Sequence, residues 1–147
     1  SNFIGEVLLS NPVNGFYTWA TGDTWEGPML NLMKHGYGKF TFYDGGSVEG
    51  KFINNYPDGY CISTEGDGSI YKGNCKISAN SIYNGQGKKF FPDGSSFEGI
   101  FRDGFPNGKG SYLSPDGVLN TGTFINGEPS GDIKVTLSNG QTFIESY

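Results

Sequence analysis

The chain has 147 residues, of which 25 are glycine and 16% are aromatic; disordered chains are poor in aromatics, so this composition excludes a flexible linker and points to short strands joined by tight turns. Its formal charge of −5 argues against general nucleic-acid binding, which needs a basic face, and weakens unaided attraction to anionic membranes. No apolar run approaches the roughly 18 residues of a membrane-spanning helix, and two cysteines, Cys61 and Cys75, are too few for a disulfide scaffold.

In chain order one segment returns again and again. Phe3-Ile4-Gly5 is followed by Trp25-Glu26-Gly27, Val48-Glu49-Gly50, Tyr71-Lys72-Gly73, Phe97-Glu98-Gly99 and Asn120-Thr121-Gly122, with Phe143 opening a stub. The repeat is 23 residues long, lengthened by three where Lys76–Tyr83 is inserted, a stretch expected to bulge from the surface. Two residues after each glycine comes a bulky or apolar side chain: Val7, Met29, Phe52, Cys75, Phe101, Phe124 and Tyr147. Next comes a Gly-x-Gly column, clear at Gly36/Gly38, Gly85/Gly87 and Gly108/Gly110 and degraded at Gly59/Cys61 and Gly131/Ile133. Each unit closes on a turn: Thr21-Gly22, Asp44-Gly45, Asp67-Gly68, Asp93-Gly94, Asp116-Gly117 and Asn139-Gly140.

Asp-Gly between alternating segments is a strong hairpin signal. Phe40 and Phe42 alternate before Asp44-Gly45, and Val48, Gly50 and Phe52 alternate after it. Period-two alternation puts rings on one face and polar residues on the other. The internal glycines leave room for a ring to lie across the strand. About a dozen strands at ~4.8 Å spacing make a ribbon roughly 55–60 Å long.

The ordered series aromatic-Glu-Gly-x-aromatic, Gly-x-Gly, Asp-Gly resembles the MORN (membrane occupation and recognition nexus) repeat, most clearly in residues 25–47 and 97–119. The resemblance implies an all-β, solenoid-like domain over residues 1–147: a single-layer, curved antiparallel sheet of about six hairpins, starting near residues 3, 25, 48, 71, 97 and 120, with a partial unit at 143. It implies a binding groove along that sheet. It also implies two other readings, a phosphoinositide or membrane-surface module and a regulatory appendage of a lipid kinase or lysine methyltransferase. The expected setting is cytoplasmic, at a membrane or the cytoskeleton.

One unit departs from the pattern, with Cys61 in a glycine slot and Cys75 in a ring slot. Both fall opposite or diagonal on neighbouring strands. Two thiols packed across strands explain the pair, and a disulfide is the alternative.

No catalytic set is legible. The single histidine, His35, sits in a loop slot before Gly36, where a nucleophile–His arrangement lacks its other members. One His and two Cys do not close a zinc shell. Asp44, Asp67, Asp93 and Asp116 share one turn slot and read as turn chemistry. The expectation is a non-catalytic module with no cofactor and no metal.

Aromatic density carries the functional expectation. Tyr17, Trp19, Phe40, Phe42, Phe90, Phe91 and Tyr112 precede the turns and are expected to line a groove for a partner peptide or helix. Leu30, Leu32 and Met33 form an unusually apolar loop, a candidate contact for a partner, a second copy in a homodimer, or lipid. The cations available to anionic lipid are Lys34, Lys88, Lys89, Arg102 and Lys109.

Overall fold

The computed structural model describes residues 13–78 and 81–147; the first unit's Phe3, Gly5 and Val7 lie outside the described residues. Thirteen strands form one antiparallel sheet: β1 (Val13–Thr18), β2 (Thr24–Leu30), β3 (Met33–Lys34), β4 (Gly36–Thr41), β5 (Ser47–Ile53), β6 (Tyr56–Thr64), β7 (Ile70–Lys76), β8 (Tyr83–Phe90), β9 (Ser96–Arg102), β10 (Phe105–Leu113), β11 (Leu119–Ile125), β12 (Glu128–Thr136) and β13 (Thr142–Ser146). Each strand pairs with its neighbours in sequence, and the short β3 pairs with β2 ahead of β4. Such up-and-down order follows from hairpins laid end to end, each burying its apolar side only beside the next.

Two kinds of turn alternate. At one edge the aspartates sit in three-residue loops: Phe42 donates its N–H to Gly46 O, and Gly45 N–H returns to Phe42 O. Gly45 stands at φ 95, the conformation this loop requires after its type I turn. The Asp44 carboxylate accepts the Gly46 N–H at 3.0 Å, and Asp67 and Asp93 do the same for Ser69 and Ser95, both at 2.8 Å. At the other edge are two-residue turns with both residues at positive φ: Asn31-Leu32, Asn54-Asn55, Asp103-Gly104 and Asn126-Gly127. Their twist matches that of the flanking strands.

Register sorts the side chains into rows. On one face a row runs Tyr17, Trp25, Phe40, Val48, Ser63, Tyr71, Lys89, Phe97, Tyr112, Asn120. Two positions along, Gly50, Cys61, Gly73, Gly87, Gly99, Gly110 and Gly122 stand opposite one another, strand after strand. The rings lie down across this glycine row. A Cβ at Gly38 would collide with the Trp25 indole, one at Gly87 with the Tyr71 phenol, and one at Gly110 with the Phe97 ring. The ring tips then reach backbone oxygens: Trp25 Nε1 donates to Pro28 O at 3.0 Å and Tyr71 OH to Asn74 O at 2.6 Å.

The first glycine of Gly-x-Gly has a different job. The β5–β6 register shifts between Gly50 and Phe52, and the β9–β10 register shifts between Pro106 and Gly110. Gly59 and Gly108, inside those bulges, stand at φ 104 and 121. A bulge bends its strand, so the periodic glycine makes the bend periodic as well. Trp25, Tyr71 and Phe97 are buried with Met29, Phe52, Phe101 and Phe124 in one continuous cluster, so a single layer acquires a thin core along its ring face.

Cys61 and Cys75 are joined as a disulfide between β6 and β7, their Cα atoms 5.8 Å apart. The register sets Cys61 opposite Gly73 and Cys75 opposite Gly59, so the pair is diagonal, and both residues are buried.

Candidate partner-binding face

Two of the hollows on the ring face are lined chiefly by rings and prolines. The first, of about 300 Å³, lies toward the N-terminal half, where Phe40, Phe42, Phe52 and Pro57 meet Lys34 and Ile82. Phe40 is the centre of this group, edge-on to Trp19 at 5.9 Å and to Phe42 at 4.9 Å. The second, of about 550 Å³, lies toward the C-terminal half between Phe91, Phe105, Pro106, Tyr112, Pro129 and Tyr147. Between them lies a third, more polar hollow of about 440 Å³, where Ser63, Glu65 and Tyr83 form a polar bridge. Tyr83 OH lies 2.9 Å from Ser63 Oγ and donates to Glu65 Oε2 at 2.8 Å, and Lys89 Nζ pairs with the same Glu65 oxygen at 2.8 Å.

The ring residues singled out in the sequence divide into three groups. Trp19, Phe40, Phe91 and Tyr112 are half-buried against the core, with one side open, and Phe42 is 42% exposed. Tyr17 is buried, so it belongs to the packing beneath the face and not to its lining. Phe90 is on the wrong side. It pairs with Ile70 and Ser96, and Lys72 and Lys88 of the opposite face lie over its ring. Neighbours in a strand point to opposite faces, so Phe90 and Phe91 never share a groove.

The apolar loop behaves similarly. Leu30 pairs with Met33 across the Asn31-Leu32 turn, one position out of phase with the buried Met29. Both therefore sit on the side away from the rings, half-buried, and Leu32 at the tip is exposed. The insertion is described at both its ends, and its residues 79 and 80 lie outside the described residues. Ile82 packs against the core cluster and lines the N-terminal hollow with Ile77. Asp103 and Ser78 hold the insertion by a hydrogen bond, and Gly104 N–H donates to Tyr83 O.

Sequence reasoning missed Pro57, Pro106 and Pro129, and has Lys34 only as a cation for anionic lipid. The four form the row opposite Met29, Phe52, Phe101 and Phe124, and Pro at the second position of three strands was a signal for it. His35 donates its backbone N–H to Pro28 O, and its Nδ1 is buried with no hydrogen-bond partner among the described residues. Among the described residues no three His, Cys, Asp or Glu side chains are grouped to hold a metal ion, and no helix is long and apolar enough to cross a membrane.

The sequence pattern of the MORN repeat matches five segments, residues 13–24, 33–47, 49–70, 79–96 and 97–118, together more than half of the chain. The chain belongs to the MORN-repeat family. MORN repeats are interaction modules of protein and membrane surfaces, a non-catalytic repeat type. Among solved structures, the MORN array is similar to the TCP domain of SAS-4 (dCPAP) of Drosophila melanogaster, solved in complex with a proline-rich motif of Ana2 (dSTIL). That likeness has a TM-score of 0.56 at 16% identity, over 91% of this chain and 72% of the other. The G-box domain of the microcephaly protein CPAP aligns with a TM-score of 0.41 at 14% identity, over 92% of this chain and 99% of the other. No curated protein matches by sequence.

Proposed function

We propose that this MORN array is a docking module whose ring face holds an extended segment of a protein partner. One observation carries the reading: half-open rings line two hollows in file along a single face, the larger of about 550 Å³. Aromatic patches of that kind supply most of the binding energy in protein interfaces, and aromatic-lined grooves suit extended, proline-containing segments, whose ordering entropy is already low. The fold shared with a domain solved on a proline-rich motif makes such segments the natural first probe.

Peptide display against the full chain tests it. Selected peptides should lose at least about tenfold in affinity on Phe42→Ala or Tyr112→Ala, the loss expected from truncating a buried anchor. They should keep their affinity on Tyr37→Ala, whose ring is 67% exposed on the other face. Binding indifferent to both Phe42 and Tyr112 would end the reading.

The lipid-surface alternative has less support. Its five cations are dispersed: Lys34 and Lys89 stand on the ring face, Lys88 on the other, and Lys89 is already paired with Glu65. Flotation with anionic vesicles at low salt decides it. A cytoplasmic setting also stays a proposal, and the Cys61–Cys75 disulfide weighs for an oxidising one.

A further inference from the structure

Each unit of the array sets one side chain opposite the bulky residue at the inner end of its first strand. The pairs are Met29 with Lys34, Phe52 with Pro57, Cys75 with Tyr83, Phe101 with Pro106 and Phe124 with Pro129. Four of the five are uncharged. Lys34 alone puts an ammonium into the row, and it does so on the floor of the N-terminal hollow.

Lys34 is held in place. Its N–H donates to Asn55 Oδ1 at 2.9 Å, and its carbonyl accepts the Asn55 N–H at 2.9 Å. The ammonium lies 4.7 Å from the Phe40 ring centroid and 5.1 Å from that of Trp19. Burial among these rings pulls the ammonium below its usual pKa, against the weaker opposing influence of Asp23. Asp23 itself is engaged elsewhere: Oδ1 accepts the Tyr43 N–H at 2.9 Å and Oδ2 accepts the Thr21 hydroxyl at 3.0 Å. Among the described residues the one ion pair is Lys89–Glu65. The two lysines of the ring face therefore differ. Lys89 is in direct contact with its carboxylate, and Lys34 lies against rings, with Asp23 acting on it only from beyond ion-pair distance.

Rings offset part of the cost of taking an ammonium out of water, and a charge kept in partial burial without a counter-ion remains costly. A carboxylate reaching this point would meet a fixed cation in a site of low polarity, where a charge-assisted hydrogen bond is strongest. Most of the surrounding wall is apolar, Phe42, Val48, Phe52, Pro57 and Ile82, with Asn55 and Tyr56 also part of it, and it favours apolar groups beside the acid. We infer that the N-terminal hollow selects an extended protein segment that carries an acidic side chain between apolar residues, with Lys34 as the residue that reads the acid. This rests on the ring face being a docking site and adds the chemistry of its occupant. The chain's charge of −5 opposes an acidic partner at long range, so the preference acts on contact and not on approach.

The test uses the full chain and two capped hexapeptides of proline and leucine, one with a central glutamate and one with glutamine in its place, titrated by NMR on the Trp19 indole signal. The glutamate peptide should bind about tenfold more tightly than its twin, the ratio expected for one charge-assisted hydrogen bond. Lys34→Met, which keeps the apolar stem, should bind both peptides equally, with a Tm that holds or rises because no charge is left among the rings. Equal binding of the two peptides by the natural chain, the same preference in Lys34→Met, or binding of neither peptide overturns the inference. If both peptides bind equally and Phe42→Ala abolishes both, the docking face stands and the acid preference falls. If display-selected peptides also ignore Phe42 and Tyr112, the docking face falls with it.

Discussion

Four turns at one edge of the sheet place two consecutive residues at positive φ, and the second of each pair is Asn55, Gly104, Gly127 or Leu32. Asparagine and glycine tolerate that conformation, and leucine at φ 64 does not without cost. The Leu32 side chain is 57% exposed, so little burial offsets the strain. Leu32→Gly should therefore raise stability by about 1 kcal/mol, read as a higher urea midpoint at unchanged slope; a lower midpoint would mean that the leucine packs against something its exposure does not reveal. The sequence showed this loop as unusually apolar. It did not show that Leu30 and Met33 lie on the side away from the rings, because that depends on where the two-residue turn sets the count. Lys34 was legible only as one cation among five, since its isolation depends on Asp23 being tied to Tyr43 and Thr21.

At the scale of the strand, alternation was readable and bulges were not. Phe40 and Phe42 fall on one face as period two requires. Phe90 and Phe91 are adjacent before a turn, and adjacency is what separates them. The Gly-x-Gly column was readable as room for rings, which holds for its second glycine at Gly38, Gly87 and Gly110. The first glycine's role, a bulge that shifts register, needed the pairing partners. The β6–β7 hairpin differs from the others in its covalent link, where Cys61 and Cys75 replace a glycine and a ring. A bond across 14 residues contributes about 3 kcal/mol in the chain-entropy account. Urea melts with and without dithiothreitol should separate by that amount, and Cys61→Ser/Cys75→Ser should be indifferent to reductant. Coincident melts would show that the link is not formed in solution.

The whole molecule is a file of hairpins whose stability adds from neighbour to neighbour, and its middle is the Tyr71–Tyr83 stack at 4.1 Å, with Phe101 edge-on to Tyr71. Burial pushes Tyr71 up to about 12 and raises Tyr83 further, where the hydrogen bond and charge of Glu65 add to burial. In the unfolded chain both ionise near 10. The folded state thus keeps two protons that the unfolded state loses, so stability is intact below pH 10 and falls above it. Thermal melts between pH 8 and 11.5 should hold Tm flat to about pH 10 and then drop it steeply, with the drop shallower in Tyr83→Phe. A decline that begins well below pH 10 would place its cause elsewhere. The fold was legible at this scale because a 23-residue period imposes the same hairpin on every unit. The division of the ring face was not, since it is Ile82, arriving from an insertion, that lines the hollow beside Phe42.

The glycine-on-glycine crossing has a consequence for size. Three of the five junctions between hairpins, Gly27–Gly38, Gly73–Gly87 and Gly99–Gly110, are made by bare backbone under a single ring, and the sheet lengthens or shortens by whole hairpins, in steps of about 9.6 Å for two strands. Copy number then acts as a ruler: a longer relative would extend the same track without redesigning any seam, and the spacing between anchor points on a guest would be counted in hairpins.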